Sequence, residues 1–272
     1  MLLDVGDSLL YIRDIPGTGV PIVFVHGSWD DHRSWSACAD QLAGHHRVVS
    51  YDRRGHTAST APDRQGSIAD DVADLVAVLD HIGVPAVLVG HSYGATVCLL
   101  TALDHPALVV GAVVHEPPLF ATLKGHPQYG PLLESVGASM TEAARLIEGG
   151  RAEEGAELFV NEVAFGPGAW ANTFDGNHRS TMISNAATWL DQYRDPNRLA
   201  LSPARLADAT RPLLITRGTA SPPIYGPSLD IALAGAPRVA STFINGAGHA
   251  APLTHSDDLV RAITAFINGL DD

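Results

Sequence analysis

The sequence predicts a doubly wound α/β fold built on a mostly parallel sheet. Three observations lead there. Apolar runs of strand length recur along the chain, helical patterns lie between them, and the runs show little polar alternation. An unalternated run suits a strand buried on both faces, as in a parallel sheet covered by helices. Strand and helix in succession then give the doubly wound arrangement.

The runs, in order, are residues 8–13, 20–25, 47–51, 86–90, 109–114, 212–216 and 239–244. The best-marked helix is 67–82, where Ile68, Val72, Leu75, Val76, Leu79 and Ile82 share one face. Ser67 and Asp70 open it in the manner of a capping box, and Gly83 stops it. The succession breaks between about Pro117 and Pro212, where only helical patterns occur: 141–148, 152–165, and 178–193 closed by Pro196. Ligands of open α/β sheets bind beyond the carboxyl ends of the strands, so a helical insertion there is expected to act as a lid. The plainer alternative is an extension of the core.

The chain's 272 residues, 46% of them hydrophobic, are enough for a sizeable single α/β core. A net charge of −13 with no Lys/Arg run argues against nucleic acid as a partner and against docking on an anionic membrane. No apolar stretch reaches the ~18 residues of a membrane span. Residues 1–7 lack the basic-then-apolar pattern of an export signal, so a cytoplasmic location is expected. The two cysteines, Cys38 and Cys98, are read as packing residues. No His-Glu-x-x-His, Cys-x-x-Cys or nucleotide fingerprint occurs, so neither metal nor cofactor is expected. The expected partner is a small-molecule substrate with an apolar part.

Chemistry concentrates at Gly90-His91-Ser92-Tyr93-Gly94, which fits G-x-S-x-G between a strand-like run and a helical run. A tight turn at a nucleophile demands small flanking residues, hence Gly90 and Gly94. Such a turn lifts the Ser92 hydroxyl clear and sets the N-terminus of the next helix beneath a developing oxyanion. A second run ends in His26-Gly27-Ser28-Trp29. Gly27 lets the chain turn there, so the Ser28 and Tyr93 amides are the expected two-donor oxyanion hole. His26 is read as structural. Trp29, beside this loop, is a candidate substrate contact, whereas the aromatics of the insertion are read mainly as core.

A serine hydroxyl needs a base with a pKa near 7. Of 13 histidines, His249 is the candidate, because it ends the Gly-rich stretch Asn245-Gly246-Ala247-Gly248 after the last strand-like run. His255 is its rival, and His91 is expected to point away from the nucleophile.

Together these pieces resemble the α/β-hydrolase fold superfamily. The matching motifs are His26-Gly27, Tyr51-Asp52-Arg53-Arg54-Gly55-His56, the elbow at Ser92 and the loop ending in His249, in the family's order. The resemblance implies eight strands, an elbow after the fifth, a Ser–acid–His triad, and a helical cap between the sixth and seventh. It divides the chain into a core of residues 1–117 and 208–272 and a cap of 118–207. It disfavours haloalkane and epoxide chemistry, whose enzymes carry Asp where Ser92 stands.

Two departures follow from the comparison. The family's Gly-His-Gly-x-Ser reads Gly55-His56-Thr57-Ala58-Ser59 here, and the usual acid position after the seventh strand holds Ser221. Some relatives carry the acid after the sixth strand instead, where this chain has Glu116. Pro117 is expected to hold Glu116 extended at the sheet edge. Asp230 is the next candidate, and a Ser–His dyad is the remaining option. The reading is a serine hydrolase of carboxylic esters or lactones. Thioester or carbon–carbon bond hydrolysis on the same residues is an alternative, as is a binding protein with a vestigial triad.

Overall fold

The computed structural model describes residues 1–199 and 201–270. Eight strands form one sheet: β1 (Leu2–Asp4), β2 (Leu9–Ile15), β3 (Gly19–Val25), β4 (His46–Tyr51), β5 (Ala86–His91), β6 (Val109–His115), β7 (Leu213–Gly218) and β8 (Ala240–Ile244). Their order is β1-β2-β4-β3-β5-β6-β7-β8. β1 pairs antiparallel with β2, and β2 with β4; every other pairing is parallel. β1 escapes sequence reading because three residues are too few to show a period.

Side chains alternate across a strand, and the apolar runs feed two cores in this way. Ile22 and Phe24 of β3, with Val87 and Val89 of β5, face one side. Val23, Val25 and Leu88 face the other. The first side is covered by α1 (Ser36–Leu42) and, near the C-terminus, by the helix Ser256–Asn268, through Cys38, Leu259 and Ile263. The second is covered by α2 (Ile68–Ile82) and α3 (Tyr93–Asp104), through Leu75, Leu79, Val97 and Cys98. The two cysteines are therefore buried on opposite sides of the sheet, and both are free thiols. The end strand β8 departs from the expectation of two-sided burial. Its Phe243 is exposed, with Arg217 lying over the ring.

Helix α2 shows its capping box in full. The Ser67 hydroxyl accepts from Asp70 N–H, the Asp70 carboxylate accepts from Ser67 N–H, and Gly83 closes the helix in the left-handed conformation.

Between β6 and β7 the described residues contain helices only: α4 (Gly130–Glu148), α5 (Ala152–Phe159), α6 (Ala169–Asn172), α7 (Gly176–Ser184), α8 (Ala186–Arg194) and α9 (Pro203–Ala207), with short 3₁₀ turns. Three details correct the periodicity. α4 starts eleven residues before the expected Thr141, since Pro131 is tolerated in a first helical turn. α5 passes into a π-helical turn, Val160–Ala164. The expected 178–193 helix is broken at Asn185, whose side chain bonds the Trp29 and Asp30 carbonyls and accepts from Thr57 N–H. Most apolar residues of this stretch form a third cluster with Trp29, Ile224 and Tyr225. Leu201 and Leu206 instead pack into the main core, so the chain has returned to the core layer before residue 207. The remaining helices are α10 (Tyr225–Ala234), α11 (Ala251–Thr254) and α12 (Ser256–Asn268).

Candidate active site

The elbow follows from what the chain must avoid. Ser92 has φ 54° and ψ −122°, a conformation that L residues rarely adopt. Its amide donates to the His115 carbonyl at 3.0 Å, which ties the turn to β6. A Cβ on Gly94 would lie 2.3 Å from the His26 carbonyl oxygen and 2.5 Å from that of Val25. A Cβ on Gly90 would meet the Ala95 Cα and the Gly94 carbonyl oxygen, each at 2.7 Å. Backbone atoms cannot swing aside as a side chain does. Gly94→Ala is therefore expected to destabilise the protein by about 3 kcal/mol. That corresponds to a fall of roughly 10 °C in the midpoint of a thermal melt. An unchanged midpoint would mean that β3 and α3 can separate freely.

The loop expected to supply an oxyanion donor, His26-Gly27-Ser28-Trp29, is held from below. Arg53 N–H donates to His26 Nε2 at 2.9 Å, and His26 Nδ1 bonds the Gly27 carbonyl at 2.8 Å. The buried Arg53 guanidinium donates to the same carbonyl and to Asp71, which also accepts from the Tyr93 hydroxyl. Thus one network braces both Gly27 and Tyr93. The Tyr93 amide opens α3 and has no acceptor within the helix. The Ser28 amide has no acceptor among the described residues. Asp52 works as a loop holder, accepting from His32 and from Ala58 N–H. Thr57 stands at the altered family glycine and takes φ 47°, held by Asn185 and by a hydroxyl bond to Asp31.

The structure brings His249 and Glu116 together. The His249 Nδ1···Glu116 Oε2 distance is 2.8 Å, and both side chains are buried. A carboxylate at Nδ1 selects the Nδ1–H tautomer and leaves Nε2 as the basic atom. Glu116 Oε1 accepts from Gly218 N–H at 2.9 Å and from the Ser221 hydroxyl at 2.5 Å. Ser221, at the family's usual acid position, thus donates to the Glu116 carboxylate, a contact its identity as a serine did not reveal. Glu116 is not extended as Pro117 suggested. Its φ is 47°, and three hydrogen bonds to its carboxylate hold it in that strained state. Asp230, the other acid considered, is exposed and paired with Arg217. His255 lies on the surface, next to Thr254.

Three rings and two imidazole bonds fix the His249 loop. Tyr225 stacks on His249 at 4.3 Å and 24°, with His91 at 4.5 Å and Phe165 at 5.0 Å. His91 Nε2 bonds the His249 carbonyl, and His115 Nε2 bonds that of Gly248. His115 and Tyr225 were not singled out from the sequence, and Phe165 was read only as one of the insertion's aromatics, a pocket or core residue. Only their proximity in space marks them.

Burial disfavours the charged imidazole and pushes His56, His115 and His249 down to about 3. His26 and His91 move the same way for the same reason. Above pH 6.5 these groups are neutral whether the chain is folded or not, and their contribution to stability is complete. As pH falls below 6.5 the unfolded chain takes up protons that the folded chain refuses, until pH approaches the folded-state value. Each group then costs ~1.4 kcal/mol per pH unit. Counting only the three groups held near 3, His56, His115 and His249, stability from urea unfolding is expected to be flat from pH 8 to 7 and about 4 kcal/mol lower by pH 5.5. A urea midpoint constant to pH 5.5 would contradict this.

Ser92, Ser28, Tyr93 and Tyr225 open onto a cavity of about 200 Å³. Residues of the helical stretch supply the rest of the wall, among them Phe120, Met140, Phe159 and Trp189. Trp29 is corrected here. It does not line this cavity but lies behind the wall, its ring 5.1 Å from Trp189 and 5.2 Å from Phe159. The insertion's aromatics take the place expected for it, because they pack between Trp29 and the opening.

A family model described as "Alpha/beta hydrolase family" matches residues 22–262. An uncharacterized hydrolase of Bacillus subtilis, YraK, is 34% identical over 117 residues, covering 41% of this chain and 42% of that protein. The 2-(acetamidomethylene)succinate hydrolase of Mesorhizobium japonicum is 27% identical over 287 residues, covering 98% of this chain and 94% of its own. The structure is also similar to that of a thermophilic esterase from Thermogutta terrifontis, with a TM-score of 0.73 and 21% identity over 97% of this chain and 94% of that one.

Proposed function

Since the chain belongs to the α/β-hydrolase family, we propose that it is a serine hydrolase that cleaves a carboxylic ester or lactone through an acyl-enzyme on Ser92. The observation that carries this reading is the buried Glu116–His249 hydrogen bond of 2.8 Å, formed beside an elbow that holds Ser92 at φ 54°. His249 Nε2 takes the Ser92 proton as Oγ attacks the carbonyl carbon. Glu116 keeps the ring in the required tautomer and stabilises its cation. The Ser28 and Tyr93 amides receive the oxyanion, each donor contributing about 3 kcal/mol to the transition state. His249 returns the proton to the leaving oxygen. Water, activated by the same nitrogen, then releases the acid and frees Ser92.

Residues 118–207 act in this reading as a cap over a small-molecule site, with the cavity's apolar wall taking an apolar part of the substrate. No described helix is long and apolar enough to cross a membrane. The test is labelling with a fluorophosphonate. The reagent is expected to form a covalent adduct that maps to Ser92 and disappears in Ser92→Ala. A folded wild-type protein that stays unlabelled would favour a ligand-binding role without catalysis.

A further inference from the structure

The chain carries 30 acidic residues against 17 Lys and Arg, and among these 17 there is one lysine, Lys124. Most of the arginines are paired with a carboxylate, on the surface or inside. Lys124 and Arg198 are not among these pairs, and both line the cavity that Ser92 opens onto. No Asp or Glu lines that cavity among the described residues. Arg198 is half-buried. Its Nη1 is held by the Tyr193 and Asp195 carbonyls, its guanidinium lies over the Tyr193 ring, and burial lowers its pKa.

A third polar group faces the same space. Gln192 is 6% exposed and lines the cavity, and its buried Oε1 has no hydrogen-bond partner. Its amide can turn its NH₂ group toward a ligand. Among the described residues Arg198 makes no ion pair: the Asp195 carboxylate attracts it but is held by the Ile68 and Asn197 amides, so a ligand bringing negative charge would complete its pairing. The cavity thus gathers donors and cations in a protein whose overall charge repels anions.

We infer that this cavity selects esters that also carry a carboxylate, bound by Arg198 and Lys124 with Gln192 as a neutral donor. This rests on the hydrolase reading above. The planar guanidinium suits a carboxylate, and Lys124, exposed at the rim, adds a second charge. The remaining wall is apolar, which suits a hydrocarbon spacer between acid and ester.

The experiment compares kcat/KM for 4-nitrophenyl pentanoate with that for mono-4-nitrophenyl glutarate and for a phenyl pentanoate bearing the carboxylate on its leaving group. One of the two acidic esters is expected to exceed the neutral one about tenfold or more at low ionic strength. In Lys124→Ala/Arg198→Ala this ratio should fall close to one, through a raised KM for the acidic ester, with Arg198→Lys intermediate. A neutral ester preferred over both acidic ones, or a preference that the double variant retains, overturns the inference. Should no ester be turned over, the hydrolase reading fails, and binding to Ser92→Ala decides the inference separately. Calorimetry would then show monomethyl glutarate binding at least tenfold more tightly than dimethyl glutarate if the inference stands, and no such difference if it falls.

Discussion

Ser92→Ala is expected to lower kcat for an activated ester by about 10⁵- to 10⁶-fold while the protein keeps its fold. The size of the effect follows from covalent catalysis. Without Oγ there is no acyl-enzyme, and His249 has no hydroxyl to activate. What remains is the oxyanion hole and substrate binding, which together leave roughly 10³- to 10⁴-fold acceleration over water. Stability should change little, because Ser92 is only partly buried and the strain sits in its backbone rather than its side chain. The measurement is single-turnover and steady-state hydrolysis of a 4-nitrophenyl ester, with circular dichroism as the control for folding. Retention of more than about one per cent of wild-type kcat would move the nucleophile elsewhere.

Glu116→Gln is the second large effect, a loss in kcat of about 10²- to 10⁴-fold. Glutamine keeps the shape, but its NH₂ competes for the His249 Nδ1 position and no longer enforces the productive tautomer. It also removes the charge that stabilises the imidazolium. The sign for pH is definite. A neighbouring carboxylate raises the histidine pKa, so its loss lets His249 give up its proton more readily. The acid limb of kcat/KM should therefore shift to lower pH while the plateau falls. Burial already lowers the His249 pKa to about 3, so the wild-type limb should lie below that of a free imidazole. Near-normal turnover in this variant, with the limb unmoved, would show that Glu116 is not the acid. Asp230 would not be an obvious replacement, given its exposure and its pairing with Arg217.

The elbow was legible because its rules are local. Gly90 and Gly94 sit within two residues of Ser92, and the contacts that forbid a Cβ there involve the strand and helix on either side of the turn and the adjacent β3 backbone. The capping box of α2 was legible for the same reason, as its partners lie three residues apart. Helix ends in the insertion were harder. Asn185 breaks an otherwise continuous period by bonding Trp29, Asp30 and Thr57, all more than a hundred residues away. The acid shows the limit most clearly. Sequence narrowed it to Glu116, Asp230 or none, and expected an extended Glu116. Its left-handed φ and its support by Ser221 depend on β6 and β7 lying side by side with His115 opposite Thr216.

Sequence alone determined the fold class, the strand–turn–helix context of Ser92 and the loop that carries His249. These rest on steric and periodic preferences that act between near neighbours. The tertiary structure decided which carboxylate meets His249, moved Trp29 behind the cavity wall, and placed Lys124 and Arg198 on that wall. Such pairings come from strand register and from packing between distant segments, and no local pattern encodes them.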